Sequence, residues 1–166
     1  DASTVYATTG NLGLLITNDG GANWSTANAG LPESPIALSV AIKPDEPSVV
    51  LVGLDRGGIY RSTDGGADWI SVAAGMSPQA SVSDIVFDPT DPGIVYAGDM
   101  FSGVFRSDDG GTTWQELTTG LSNREVAAVA ISTDGRHLYA ATRGGGVFRL
   151  DLSGEAPATA PQDEDP

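Results

Sequence analysis

The sequence has no cysteine, which excludes disulfide staples and thiol chemistry and leaves the redox compartment open. Basic residues are scarce: 22 acids stand against seven arginines, one lysine and one histidine, for a formal net charge of -14. Such a field repels phosphate backbones and anionic headgroups, so no nucleic-acid partner is expected. Glu155, Asp163, Glu164 and Asp165 supply only part of the excess, so the acidity belongs to the chain as a whole. No apolar run reaches the length of a membrane span, and direct membrane insertion is not expected. Helix-length amphipathic patterns are also missing. The sequence begins at Asp1 rather than methionine, which fits a signal or anchor removed or lying outside it, and the expected location is secreted or periplasmic/extracellular.

Glycine and proline are plentiful, 22 and 10 residues, scattered among short runs of Val, Ile, Leu and Tyr. That composition predicts many short strands joined by tight turns. The segment Thr17-Asn18-Asp19-Gly20-Gly21-Ala22-Asn23-Trp24 returns as Ser62-Thr63-Asp64-Gly65-Gly66-Ala67-Asp68-Trp69 and as Ser107-Asp108-Asp109-Gly110-Gly111-Thr112-Thr113-Trp114, displaced by 45 residues each time. A fixed period in this range means repeated units that stack on their neighbours rather than fold around one centre.

Within that frame, strands are predicted at 4–8, 49–53, 94–98 and 137–141, and each is followed through a glycine by another at 14–17, 59–62, 104–107 and 147–150. A third kind runs from each tryptophan to a Gly-Leu or Gly-Met pair. The apolar runs at 37–42, 82–87 and 126–131 form a fourth kind, suited to burial on both faces. Four antiparallel strands per 45 residues make the blade of a β-propeller, with the apolar strand innermost. The expected fold is therefore all-β, with four blade positions of which only the middle two are complete. The first lacks its inner strand and the last its outer one. Both gaps fit a chain cut from a longer propeller, or one whose missing strands come from a partner. The propeller is assigned to residues 1–152; the remainder, 153–166, reads as a disordered acidic Pro/Ala tail or linker.

The octets resemble the Asp-box, or BNR repeat, of sialidases, sortilin-type receptor propellers, xyloglucan-degrading enzymes and photosystem assembly factors, over residues 4 to 150. Physically, Asp19, Asp64 and Asp109 can accept N–H bonds across the turn. Gly20, Gly65 and Gly110 give it freedom, and Trp24, Trp69 and Trp114 cover the hairpin. A structural role is expected for all nine. The fourth copy, Leu150-Asp151-Leu152, departs from the box and has no tryptophan. A calcium loop needs alternating Asp or Asn ligands and a distal Glu that the boxes do not supply, so neither metal nor cofactor is expected.

Sialidases bind a carboxylate with three arginines, and Arg61, Arg106 and Arg149 recur at equivalent positions. They fall on three different blades, third from the axis, so pairing with local carboxylates or flanking the boxes is the expectation. His137 lacks the nucleophile elbow that a catalytic relay would need. The triplet Asn23-Trp24-Ser25 matches a glycosylation acceptor but lies inside a box, and Gly144-Gly145-Gly146 is a hairpin turn rather than a phosphate loop.

Glu33, Asp55, Arg56, Asp99, Met100, Phe101, Arg124, Glu125 and Arg143 fall in loops on one propeller face, and Asp84 interrupts an inner strand. A carboxylate there is expected to point into a hydrated central channel, because burial without a partner is costly. Asp55, Arg56, Asp84, Asp99, Met100, Phe101, Arg124 and Arg143 form the candidate partner or ligand face. The expected function is a non-catalytic propeller that binds a protein or joins a second copy completing the ring. The alternatives are part of a sialidase- or xyloglucanase-like glycoside hydrolase, which would bind carbohydrate through paired carboxylates, and a photosystem assembly factor.

Overall fold

A computed structural model describes residues 3–153, which form four antiparallel sheets and no helix. The first sheet holds β1 (Val5–Thr9), β2 (Gly13–Thr17) and β3 (Ser25–Thr26). The second holds β4 (Ala37–Ile42), β5 (Val50–Leu54), β6 (Gly58–Ser62) and β7 (Ile70–Ser71). The third holds β8 (Val82–Phe87), β9 (Val95–Asp99), β10 (Gly103–Ser107) and β11 (Gln115–Glu116). The fourth holds β12 (Val126–Ile131), β13 (His137–Thr142) and β14 (Gly146–Asp151). Each sheet is a meander in chain order, so the two complete and two three-stranded blades fall where the repeat puts them.

The repetition extends to register. Each inner strand pairs with its neighbour through the same irregularity, between Ala37 and Ser39, Val82 and Asp84, and Val126 and Ala128. Such a bulge aims the strand's first residue independently of the rest. The outer strands are shorter than the sequence implies, two residues each, followed by one more backbone bond to the neighbouring strand, from Ala27 to Leu14 O, Val72 to Ile59 O and Leu117 to Val104 O.

The sheets stack face to face, with β1 packed beside β4, β4 beside β8 and β8 beside β12. The core is accordingly three separate layers. Leu14, Ala27, Val50, Val52, Leu54 and Trp69 fill the first. Ile59, Ile85, Phe87, Val95, Phe105 and Trp114 belong to the second, and Tyr96, Val104, Val126, Val129 and Leu138 to the third. Polar ties join successive inner strands: Ser39 Oγ donates to Val82 O at 3.0 Å and Ser83 Oγ to Val126 O at 2.8 Å.

Burial of inner strands on both faces fails in the fourth sheet, where Ala127, Ala128 and Ala130 of β12 are exposed. A strand covered on one side only alternates. Residues 1–2 and 154–166, including nearly all of the expected acidic tail, lie outside the described residues.

Candidate functional site

The three boxes share one hydrogen-bond plan. The hydroxyl of Thr17, Ser62 or Ser107 donates to Asp19, Asp64 or Asp109 at 2.7 Å. The same oxygen accepts the N–H of the second glycine, Gly21, Gly66 or Gly111, at 2.8 to 3.0 Å. The carboxylates also accept backbone N–H groups further along the turn, from Asn23, from Ala67 and Asp68, and from Thr112 and Thr113. The first glycine of each box donates to Ser3 O, Ser48 O or Gly93 O, tying the box to the entry of the strand beside its hairpin, β1, β5 or β9. These carboxylates are occupied by their own turns, and among the described residues no group of His, Asp and Glu converges to hold a metal ion.

Bonding to the charged form lowers their pKa values. The Thr17 hydroxyl and the Asn23 N–H hold Asp19 at about 2, and the Ser62 hydroxyl and Asp68 N–H lower Asp64. At Asp109 burial pushes upward, but bonds from Thr113 and Ser107 outweigh it and the value is also about 2. A carboxyl depressed in the fold stabilises it above the ordinary value near 3.8, and that contribution is lost as pH falls through the folded pKa. The thermal midpoint is therefore expected to stay level down to about pH 5 and to drop between about pH 4 and pH 2. Melting curves across that range check it, and Asp109→Asn should remove part of the drop.

The tryptophans do more than cover their own hairpins. Trp69 Nε1 donates to Ala27 O of the preceding blade at 2.9 Å, and the Trp69 N–H donates to Ala29 O. Likewise, the Trp114 N–H donates to Ala74 O. Both indoles are 3% exposed, inserted between blades, whereas Trp24 has no preceding blade among the described residues, is 43% exposed and bonds its own Gly21 O.

The loop face gathers around Ser81, which sequence reasoning missed. Its hydroxyl donates to Asp55 Oδ1 at 2.6 Å and accepts the Arg56 N–H at 3.1 Å. Its N–H donates to Asp99 Oδ2, and its carbonyl accepts the Met100 N–H at 2.9 Å. The only signal for it was a serine directly before an apolar inner strand. Asp55, Arg56, Asp99 and Met100 are thus brought together.

Asp99 is withdrawn from the candidate face, however: it is fully buried, and its other oxygen accepts the N–H groups of Phe101 and Ser102. A turn carboxylate with every approach filled cannot meet a partner. Asp84 also turns inward to the fold. Half-buried, it accepts the Val129 N–H of the next inner strand and its own Ile85 N–H, both at 3.0 Å, where simple hydration was expected.

Phe101 is 66% exposed on a loop fixed by Asp99. Arg124 and Arg143 are exposed one blade further on. Arg124 meets Glu116 at 2.8 Å, and the Arg143 backbone bonds Glu125 and Asn123. Nearer the first blade, a cleft of about 300 Å³ is lined by Pro32, Glu33, Ser34, Asp55 and Arg56 among others. Among the described residues, its Ser34 and Arg56 are the only non-glycine residues in the left-handed region, at φ 54° and 53°. Each such conformation costs about 1–2 kcal/mol, and such costs cluster where loops serve a ligand.

The strand arginines behave locally. Arg61 Nε donates to Gly110 O of the next box, and Arg106 pairs with Asp108 at 2.7 Å. They form no common anion site.

A family model described as "Sortilin, neurotensin receptor 3" (Sortilin-Vps10) matches residues 13–145. The chain belongs to the Sortilin-Vps10 family. No curated protein matches it by sequence. Among solved structures, the sortilin-type chain is similar to an ancestral GH74 enzyme, at TM-score 0.78 and 20% identity over 95% of this chain and 24% of that one. It is similar to the GH74 enzyme of Niastella koreensis at TM-score 0.73 and 21% identity, covering 96% and 28%. It is also similar to YCF48 bound to D1 peptide, at TM-score 0.69 and 19% identity, covering 96% and 51%. At these identities the likeness establishes the propeller fold, and this chain spans between about a quarter and a half of those proteins.

Proposed function

We propose that this sortilin-type chain is a non-catalytic propeller module that binds another protein or assembles with further subunits. The observation that carries the reading is the pair of end sheets that no described residue covers. Val5 and Trp24 on the first, and Tyr139 and Val147 on the fourth, are exposed, although Val50, Trp69, Tyr96 and Val104 at equivalent positions are core. Large apolar residues exposed where their equivalents are core support an interaction surface. YCF48, solved with D1 peptide, supports a polypeptide partner for the shared fold. The GH74 likeness supports carbohydrate as the second reading; Asp99 is buried and Asp84 is bonded to backbone, which leaves Glu33 and Asp55, lining one cleft, as the carboxylate pair that reading would need. With the leading reading goes a secreted or periplasmic address, supported by the sortilin relationship.

An assembling chain gains stability from mass action. Its thermal midpoint is expected to rise with protein concentration, and light scattering should report more than one copy. A fully folded monomer with a concentration-independent midpoint sinks the assembly half of the reading.

A further inference from the structure

The second and third sheets each have a described neighbour on both sides, so what their loops leave open does not rest on a missing adjacent blade. The loop between β5 and β6 and the loop between β9 and β10 are locked into one piece by Ser81. Its hydroxyl holds Asp55 at 2.6 Å and the Arg56 N–H at 3.1 Å, while its N–H and carbonyl hold Asp99 and Met100 of the following blade. Ala80 O adds bonds from the Gly57 and Gly58 N–H groups, and Asp99 fixes the Phe101 and Ser102 N–H groups at 2.9 and 2.7 Å. Two side chains stand out from this platform, Arg56 and Phe101, at equivalent places 45 residues apart in the repeat. Phe101 is 66% exposed, yet the same place is Asn11 in the first blade and Gly144 in the fourth, so the turn has no need of an apolar residue. Arg56 is exposed and held at φ 53°. Among the described residues no carboxylate pairs with it, although Glu33 and Asp55 line the same cleft.

Resting on the module reading above, we propose that Arg56 and Phe101 form a two-point site for a polyproline-type segment of a partner polypeptide. A carboxylate of the segment meets the Arg56 guanidinium, and an apolar side chain three residues away covers the Phe101 ring. Arginine and aromatic groups on firm supports carry much of the binding energy in protein interfaces. The Ser81 network fixes both loops before the partner arrives, so little ordering entropy is left to lose. Spacing selects the conformation of the segment. Neighbouring sheets pack about 10 Å apart, which offsets equivalent loop positions on adjacent blades by about that distance. A polyproline II helix has three residues per turn, each rising about 3.1 Å, so residues three apart share one side at about 9 Å. In a β-strand same-side residues fall about 7 or 13 Å apart, and neither matches. Charge selects the carboxylate. In a chain of net charge -14 an acidic partner needs a cation that no local acid has claimed. Arg106 and Arg124 are already paired, with Asp108 and Glu116, whereas Arg56 is not.

The test uses the full chain at low salt and the end-blocked peptide Ala-Leu-Pro-Pro-Glu-Pro-Pro-Leu-Ala, which presents the pair in either chain direction. One-to-one binding is expected, with amide NMR shifts centred on residues 55–57 and 99–102. Phe101→Ala, and Arg56→Asn, which suits a left-handed turn, should each weaken binding about tenfold or more with the thermal midpoint unchanged. Arg56→Lys, which keeps the charge, should lose less. The isomer Ala-Pro-Leu-Pro-Glu-Pro-Leu-Pro-Ala, with each Leu two residues from Glu, should bind about tenfold or more weakly than the first peptide. No binding, shifts centred elsewhere, or equal binding of the isomer overturns the proposal. A β-glucan oligosaccharide that moves the same amides when the peptide does not overturns it in favour of carbohydrate. A folded monomer that takes the peptide leaves this site standing while assembly falls; an oligomer that ignores the peptide does the reverse.

Discussion

Alanine in place of Trp114 is expected to cost about 3–5 kcal/mol, and the same change at Trp24 under about 1 kcal/mol, although the two residues close the same motif. Trp114 is buried in the second core layer with Ile59, Val72, Phe87 and Phe105, so its removal leaves a void that two rigid sheets cannot close. Trp24 lies on a face that nothing in the described chain covers and makes one bond, to Gly21 O at 3.1 Å. Denaturant midpoints of the two variants, measured with the slope held in view, check the contrast. Equal losses would show that the indole stabilises its own hairpin rather than the joint between blades. Phenylalanine refines the comparison. Trp114 Nε1 is buried without an acceptor, whereas Trp69 Nε1 donates to Ala27 O, so Trp69→Phe should be the more costly of the two.

Gly75→Ala is expected to destabilise the chain by at least about 3 kcal/mol, while Gly20→Ala costs about 1–2 kcal/mol. Both glycines have positive φ, 95° and 71°, so alanine is strained at either. Only at Gly75 does a neighbour forbid the methyl outright: the added carbon would lie inside the contact distance of Trp114 O, a backbone atom pinned by the Trp114 N–H to Ala74 O bond. A carbon added at Gly20 would meet nothing within 4 Å. Thermal midpoints of the two variants should therefore separate by several degrees. If they coincide, the close passage of the second blade's exit over the Trp114 backbone does not hold in solution.

The fold was largely legible in the chain because a propeller is built from local meanders. Strand pairs within a blade are neighbours in sequence, and turn chemistry at Asp19, Asp64 and Asp109 marks every third-to-outer hairpin. A four-step count along a 45-residue ruler was enough to find which blades are incomplete. The candidate face was legible only in part. Arg56, Phe101, Arg124 and Arg143 are exposed on loops as expected. Asp99, by contrast, was misjudged because a loop carboxylate folded into its own turn and one aimed at solvent have the same local sequence. Ser81 was missed because its four partners come from two loops distant in sequence.

By itself, the sequence determined the strands and their order in each sheet, since both follow from periodicity and local turns. The tertiary structure alone decided which equivalent residues are core and which are open. Burial here is conferred by the neighbouring blade rather than by a residue's own motif, so Trp114 and Trp24, identical in their boxes, have different fates, and Ile42 lies bare where Phe87 is covered.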